Sequence, residues 1–245
     1  MKCYEIAGLK VQMECYYPRT MRQSESYCIE QTEGNPDIKI CIPKEKIAAY
    51  AKEHRLLNED GWEYMMTGSK FYHHLVDYDG MMLHASAVVA DGYAYLFSAD
   101  SGTGKSTHTG LWKQYLGDRA FIINDDKPAI RKINGEYNVF GTPWSGKTDQ
   151  NVNTRAKLGG IAFLRRSPVN WIRRIDPDAA FLLLMKQTIR KLNADQMDHF
   201  IQTIREMICC VSVYELGCNM SEEAARLSYE TMCQGIVSGK GETLK

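Results

Sequence analysis

A chain of 245 residues with 44% hydrophobic content suits one globular domain, or one domain with a smaller appendage. Thirty basic residues balance thirty acidic ones, so no charge excess points to a nucleic acid or a membrane surface. No apolar run reaches the roughly 18 residues a bilayer crossing needs, and the opening Met-Lys-Cys-Tyr-Glu-Ile-Ala-Gly lacks the layout of an export signal.

Residues 1–70 read as an appendage and residues 71–245 as the core. In the appendage Lys10–Tyr17 and Ile38–Ile42 are strand candidates. A helix after Pro43 spans Lys44–His54, and Phe71–Tyr78 reads as a second, short helix. Met81–Val89 and Tyr93–Phe97 flank the turn signal Ala90-Asp91-Gly92 and read as paired strands. Lys105–Leu116 is a helix stopped by Gly117, and Ala120–Ile123 a buried strand. Lys127–Ile133 and Glu136–Phe140 surround Asn134-Gly135, a hairpin signal. Leu158–Leu164 and Trp171–Ile175 are further strands. Asp176-Pro177 opens a helix to about Arg190. A helix at about Ala194–Met207, a strand at Ile208–Leu216 and a helix from Ser221 follow. Strands crowded before the loop and hairpins after it do not fit strict βαβ alternation. The fold class predicted is α/β with α+β character: a mixed, largely antiparallel sheet with helices packed on it.

Between Phe97 and the helix at Lys105 lies the most informative stretch, Ala99-Asp100-Ser101-Gly102-Thr103-Gly104-Lys105-Ser106-Thr107. It matches a phosphate-binding loop except that Ala99 replaces the first glycine. Gly102 and Gly104 let backbone N–H groups turn inward as an anion nest, and the following helix adds its positive end. Lys105 suits the terminal phosphates, and the Ser106 hydroxyl suits Mg²⁺. The loop predicts ATP and Mg²⁺ as ligands.

Phosphoryl transfer also needs carboxylates nearby. Asn124, Asp125 and Asp126 end the strand after the loop's helix, so one aspartate can serve the metal, Asp126 with Ser106, and one can take a proton. Asp125 is the favoured base, with exchange of roles left open; His84, on a strand before the loop, reads either as a structural, hydrogen-bonded residue or as a neighbour of the phosphate site. Gly141-Thr-Pro-Trp-Ser-Gly-Lys147 reads as a rigid loop able to touch phosphate or substrate, with Ser145, Lys147 and Arg155 as candidate contacts. The polar segment Asn151–Arg155 reads as a flap, and Arg165-Arg166 and Arg173-Arg174 as solvated strand ends. His54, His73, His74, His108 and His199 have no partner at metal spacing. The eight cysteines are equally scattered, which predicts reduced thiols in a cytoplasm.

Leu-His-Ala-Ser-Ala-Val (83–88), the 97–107 loop, Ile-Asn-Asp-Asp (123–126) and Gly-Thr-Pro-Trp-Ser-Gly (141–146) together resemble the HPr kinase/phosphorylase family. More closely, they resemble the HPr-kinase-related proteins of bacterial peptide-modification gene clusters. Phosphoenolpyruvate carboxykinases (ATP) are similar at greater distance. The resemblance implies a kinase that moves the γ-phosphoryl group of ATP to a serine-type hydroxyl, with His84, Asp125, Asp126 and Lys105 at the catalytic centre and His84 tuning Asp125. Thr142–Lys147 and Asn151–Arg155 replace the family's HPr-contacting signature, so the implied acceptor is a different peptide, protein or small molecule. An ATP-binding sensor with little catalysis is the alternative. Neither a nucleic acid nor a membrane is an expected partner, and a homo-oligomer is left open.

Overall fold

A computed structural model describes residues 1–30, 34–188 and 191–239, with side chains to residue 235. The first unit opens with a hairpin, β1 (Lys2–Ile6) and β2 (Leu9–Met13), joined by Ala7-Gly8 at φ 53° and 71°. These are the left-handed dihedrals that a two-residue hairpin turn demands. β3 (Cys28–Ile29) and β4 (Ile38–Ile40) complete a sheet of order β3-β1-β2-β4, with α1 (Pro18–Ser24) between β2 and β3. Tyr4, Ile6, Leu9, Val11, Met13, Ile38 and Ile40 are buried at period-2 spacing. They pack with α3 (Glu59–Leu75), which follows α2 (Lys44–Glu53).

The helix expected at Phe71–Tyr78 is only the last turn of α3 and the 3-10 turn that follows it. The helix starts much earlier, where the Asn58 side chain accepts the Gly61 N–H and Glu59 and Asp60 fill the first turn. Tyr64, Thr67, Phe71, Tyr72 and Leu75 recur at helical spacing and are buried. The same core takes in Ala129, Phe140 and Trp144 from the second unit, so α3 is packed on both sides.

The second unit contains nine strands among the described residues. These are β5 (Gly80–Met82), β6 (Ala85–Ala90), β7 (Tyr93–Ser98), β8 (Ala120–Asp126), β9 (Ala129–Ile133), β10 (Glu136–Phe140), β11 (Arg155–Arg166), β12 (Trp171–Arg174) and β13 (Val213–Cys218). The main order is β5-β9-β10-β11-β7-β6-β8, and β13 and β12 branch from β11. Only β11 with β7 and β11 with β13 are parallel; the sheet is mixed and largely antiparallel. α4 (Lys105–Leu116) and α7 (Glu222–Gly239) cover one face, α5 (Pro177–Lys186) and α6 (Ala194–Cys210) the other. β6 is therefore buried along its whole length, since both faces are covered.

Several boundaries differ from the expectation: β2 ends at Met13, short of Tyr17, and β11 runs beyond Leu158–Leu164 at both ends. Met81–Val89 is two strands: β5 pairs with β9 and β6 with β7 and β8, and His84 sits in the link between them. α6 runs on through Cys210, because Met207 still faces the core, and β13 starts only at Val213. α5 ends at Lys186, before the expected Arg190, which lies outside the described residues. No described helix is long and apolar enough to cross a membrane.

Candidate phosphate and acceptor site

β7 delivers the loop at its C-terminal end, and α4 begins at Lys105. Gly102 (φ 79°) and Gly104 (φ 120°) hold the left-handed conformations that the nest requires. Ala99 is not among the positive-φ residues, and its methyl packs in the apolar core beside Trp112. A Cβ therefore fits where the motif prefers glycine. The buried Lys105 Nζ donates to the Ala99 carbonyl at 3.0 Å, beneath the loop. Burial lowers its pKa, against the pull of Asp126, Asp125 and Asp100.

β8 brings two carboxylates to the same end, and their surroundings differ. Asp125 is buried, accepts from Ser106 Oγ at 2.9 Å and accepts from Thr148 Oγ1 at 2.7 Å. Asp126 is half-buried, with His84 Nε2 at 3.0 Å and Lys127 Nζ at 2.6 Å. Burial alone would raise the Asp126 pKa. The His84 hydrogen bond and the charge and hydrogen bond of Lys127 outweigh it and hold this carboxyl well below the usual range. The His84 tuning expected for Asp125 thus falls on Asp126, and Ser106 meets Asp125, not Asp126. Both oxygens of Asp126 are occupied by cationic or imidazole donors.

Asp126 also sits at φ 105°, a conformation that costs a non-glycine residue about 1–3 kcal/mol. The 141–147 loop presses on it. A methyl at Gly146 (φ 68°) would lie 2.7 Å from Asp126 Cβ. That loop is braced by the first unit: Arg19 Nη2 donates to the Gly146 carbonyl at 2.5 Å, and Arg19 stacks 4.0 Å over the Tyr64 ring.

The other sequence candidates separate. Ser145 is fully buried: its Oγ accepts from Asn151 Nδ2, and its N–H donates to the Tyr64 hydroxyl. Lys147 is exposed beside the site. Arg155 begins β11, paired with Phe140, at the opposite end of that strand from the phosphate loop. The flap expected at Asn151–Arg155 is tied down, because Asn151 bridges to Asn124 and Val152 N–H bonds the Ile123 carbonyl. Trp144 is packed against Phe71, donates to Thr67 and walls a cavity of about 150 Å³ shared with Tyr64, Tyr72, Met82 and Lys127.

Three participants escaped the sequence reading. Gln187 follows α5 and joins His84 Nδ1 (3.0 Å) to Asp100 (3.0 Å). Lys127 was read only as a strand residue. Arg166, read as a solvated strand end, donates to the Gly102 carbonyl at 2.5 Å. No local signal marks the Gln187 and Arg166 contacts, whose partners are distant in sequence; for Lys127, adjacency to Asp126 is the available clue.

A cleft of about 520 Å³ opens beside Thr103, Gly104 and Thr107, walled by Leu111, Leu164 and Met220. Its size and apolar walls suit a nucleoside next to the nest. Among the described residues, no cluster of three or more His, Cys, Asp or Glu forms a metal cage. Ser106 and Asp125 do fit Mg²⁺, which takes one or two hard protein oxygens and completes its shell from phosphates and water.

No family model matches the chain, and no curated protein matches it. Among solved structures, the HPr(Ser) kinase/phosphatase from Coxiella burnetii is similar at 12% identity and a TM-score of 0.37, over 63% of this chain and 97% of that one.

Proposed function

We propose that the protein is an ATP-dependent phosphotransferase that moves the γ-phosphoryl group to the hydroxyl of a peptide or small molecule, in a reducing compartment such as the cytoplasm. One observation carries this reading: two adjacent carboxylates at the mouth of a phosphate loop have separate partners. Asp125 is joined to the loop's own Ser106, and Asp126 is joined to His84 and Lys127. A pure nucleotide sensor needs the first pair and has no use for the second.

In this reading the loop amides and Lys105 hold the β- and γ-phosphates, and Ser106 with Asp125 holds Mg²⁺. The ion, when bound, neutralises charge on the transferred group. Lys105 leaves the Ala99 carbonyl for the phosphates. The acceptor oxygen attacks the γ-phosphorus in line, the bond to the β-phosphate oxygen breaks, and ADP leaves. The hydroxyl proton passes to Asp126, held in place by His84 and Lys127. A carboxylate with a depressed pKa is a weak base, so this transfer comes late, after the bridging bond has largely broken. This exchanges the roles first favoured for the two aspartates. Calorimetry with ATP and Mg²⁺, followed by incubation with γ-labelled ATP and cell extract, tests the reading. Tight nucleotide binding with no labelled product would leave the sensor alternative standing.

A further inference from the structure

The C-terminal end of β11 borders two clefts. Leu164 and Arg166 line the nucleotide side, and Arg165, one residue out of phase, borders both that cleft and a groove of about 420 Å³ on the other side. Arg165, Arg173, Arg174 and Lys186 line this second groove over an apolar floor that includes Ile175 and Leu183. Its two carboxylates are already committed. Glu215, buried in β13, takes Arg165 and Arg173, and Asp176 caps α5 through the Ala179 N–H. Burying a carboxylate is costly unless it is paired. Here the pairing fixes two guanidiniums at the groove's lip, each about two-thirds exposed, with Arg173 also lying 5.5 Å over the Trp171 ring. A chain with equal numbers of acidic and basic residues has concentrated cations here.

Position ties the groove to the chemistry. Lys186 on its wall is followed directly by Gln187, which bonds both His84 and the loop's Asp100. Consecutive Cα atoms are about 3.8 Å apart, so the Lys186 wall of the groove is one residue from a side chain bonded to the catalytic cluster. Leu182, 61% exposed on the rim, offers an apolar contact as well.

We propose that this groove binds an acidic segment flanking the acceptor hydroxyl of a peptide substrate. The inference rests on the phosphotransferase reading for its purpose, but its binding test does not. Fluorescein-labelled peptides of about ten Gly and Ser residues, with one Leu and a run of Glu, Gln or Lys beside the central Ser, are titrated against the full chain by anisotropy. The Glu peptide binds tightest, more weakly as salt rises, and roughly tenfold more weakly to Arg174→Glu or Lys186→Glu, each variant removing a charge-assisted contact. Both variants keep the parental affinity for a fluorescent ATP analogue. Equal binding of the Glu and Gln peptides, or Glu-peptide binding unchanged in both variants, overturns the proposal. Phosphatidylserine vesicles that bind in a Arg174-dependent way, with no peptide bound, overturn it too and make the groove a membrane contact. If the Glu peptide binds as described yet accepts no phosphate from labelled ATP, with every tested acceptor equally silent, the kinase reading fails and the groove stands.

Discussion

The nucleotide side and the acceptor side of this site are built in opposite ways. On the nucleotide side, Ala99 to Ser106 are consecutive, and a single strand–loop–helix unit positions them. On the acceptor side, His84, Asp126, Gly146 and Gln187 come from four separate segments, and Arg19 reaches over from the first unit to hold one of them. The nest is formed by its own consecutive backbone, which Arg166 and Gln187 then brace from outside. Asp126 is supported by its neighbours, in a conformation that it would not adopt alone. Damage on the first side should therefore always lower ATP affinity, and damage on the second should lower turnover with ATP affinity kept.

The largest effect is expected at Asp126. Asp126→Asn keeps the shape and removes the proton acceptor, so turnover falls about 10²–10⁴-fold while ATP affinity stays within about twofold. Labelled-phosphate transfer and calorimetry on the same sample check both halves. Should Asp125→Asn instead abolish turnover with an unchanged Mg²⁺ requirement, the division of labour between the carboxylates is the wrong way round. Next comes Gly146→Ala. Its methyl would displace Asp126 and strain the loop at φ 68°, and a displacement of about 1 Å at a reacting group can cost about 100-fold in turnover. Loss of ATP affinity in that variant would mean that the two sides are not separable.

The same contrast explains what the sequence disclosed. The loop, its flanking strand and helix, and the aspartate pair were legible because their spacing is local and each residue type has one physical job there. The mixed sheet was legible from strand crowding and from Asn134-Gly135. The length of α3 was not, because Gly61 and Gly68 dilute its helical pattern and the Asn58 cap carries no apolar signal. β1 was missed because its alternation covers only Tyr4 and Ile6 before the turn. Which aspartate meets His84 depends on β6 and β8 lying in register, Ala85 opposite Asp126. No periodicity in either strand encodes that pairing. The burial of Ser145 is hidden for a related reason. Its hydroxyl reads as a free phosphate ligand, yet it is buried and accepts from Asn151.

The nucleotide side gives the next effect. Lys105→Ala removes a charged hydrogen-bond donor to phosphate, worth about 1.5–3 kcal/mol, so ATP affinity falls roughly 10–100-fold. Turnover at saturating ATP also falls, because the same charge serves the transition state.

The smallest effect is the most specific, since it reads the burial of Lys105 directly. Nucleotide binding needs the ammonium form. In the free protein burial lowers the Lys105 pKa below its ordinary 10.5. ATP affinity is therefore complete well below that shifted pKa and declines as the pH rises through it, in a range where an exposed lysine would still be charged. Bound phosphates favour the ammonium and raise the pKa again, so binding within this window takes up a fraction of a proton. Calorimetry in two buffers of different ionisation enthalpy, carried upward from pH 7, measures that uptake. Lys105→Arg is the control: arginine stays charged throughout, so any affinity it retains has no alkaline decline from this residue. An unchanged decline in Lys105→Arg would assign the titration to another group and remove Lys105 from beneath the phosphates.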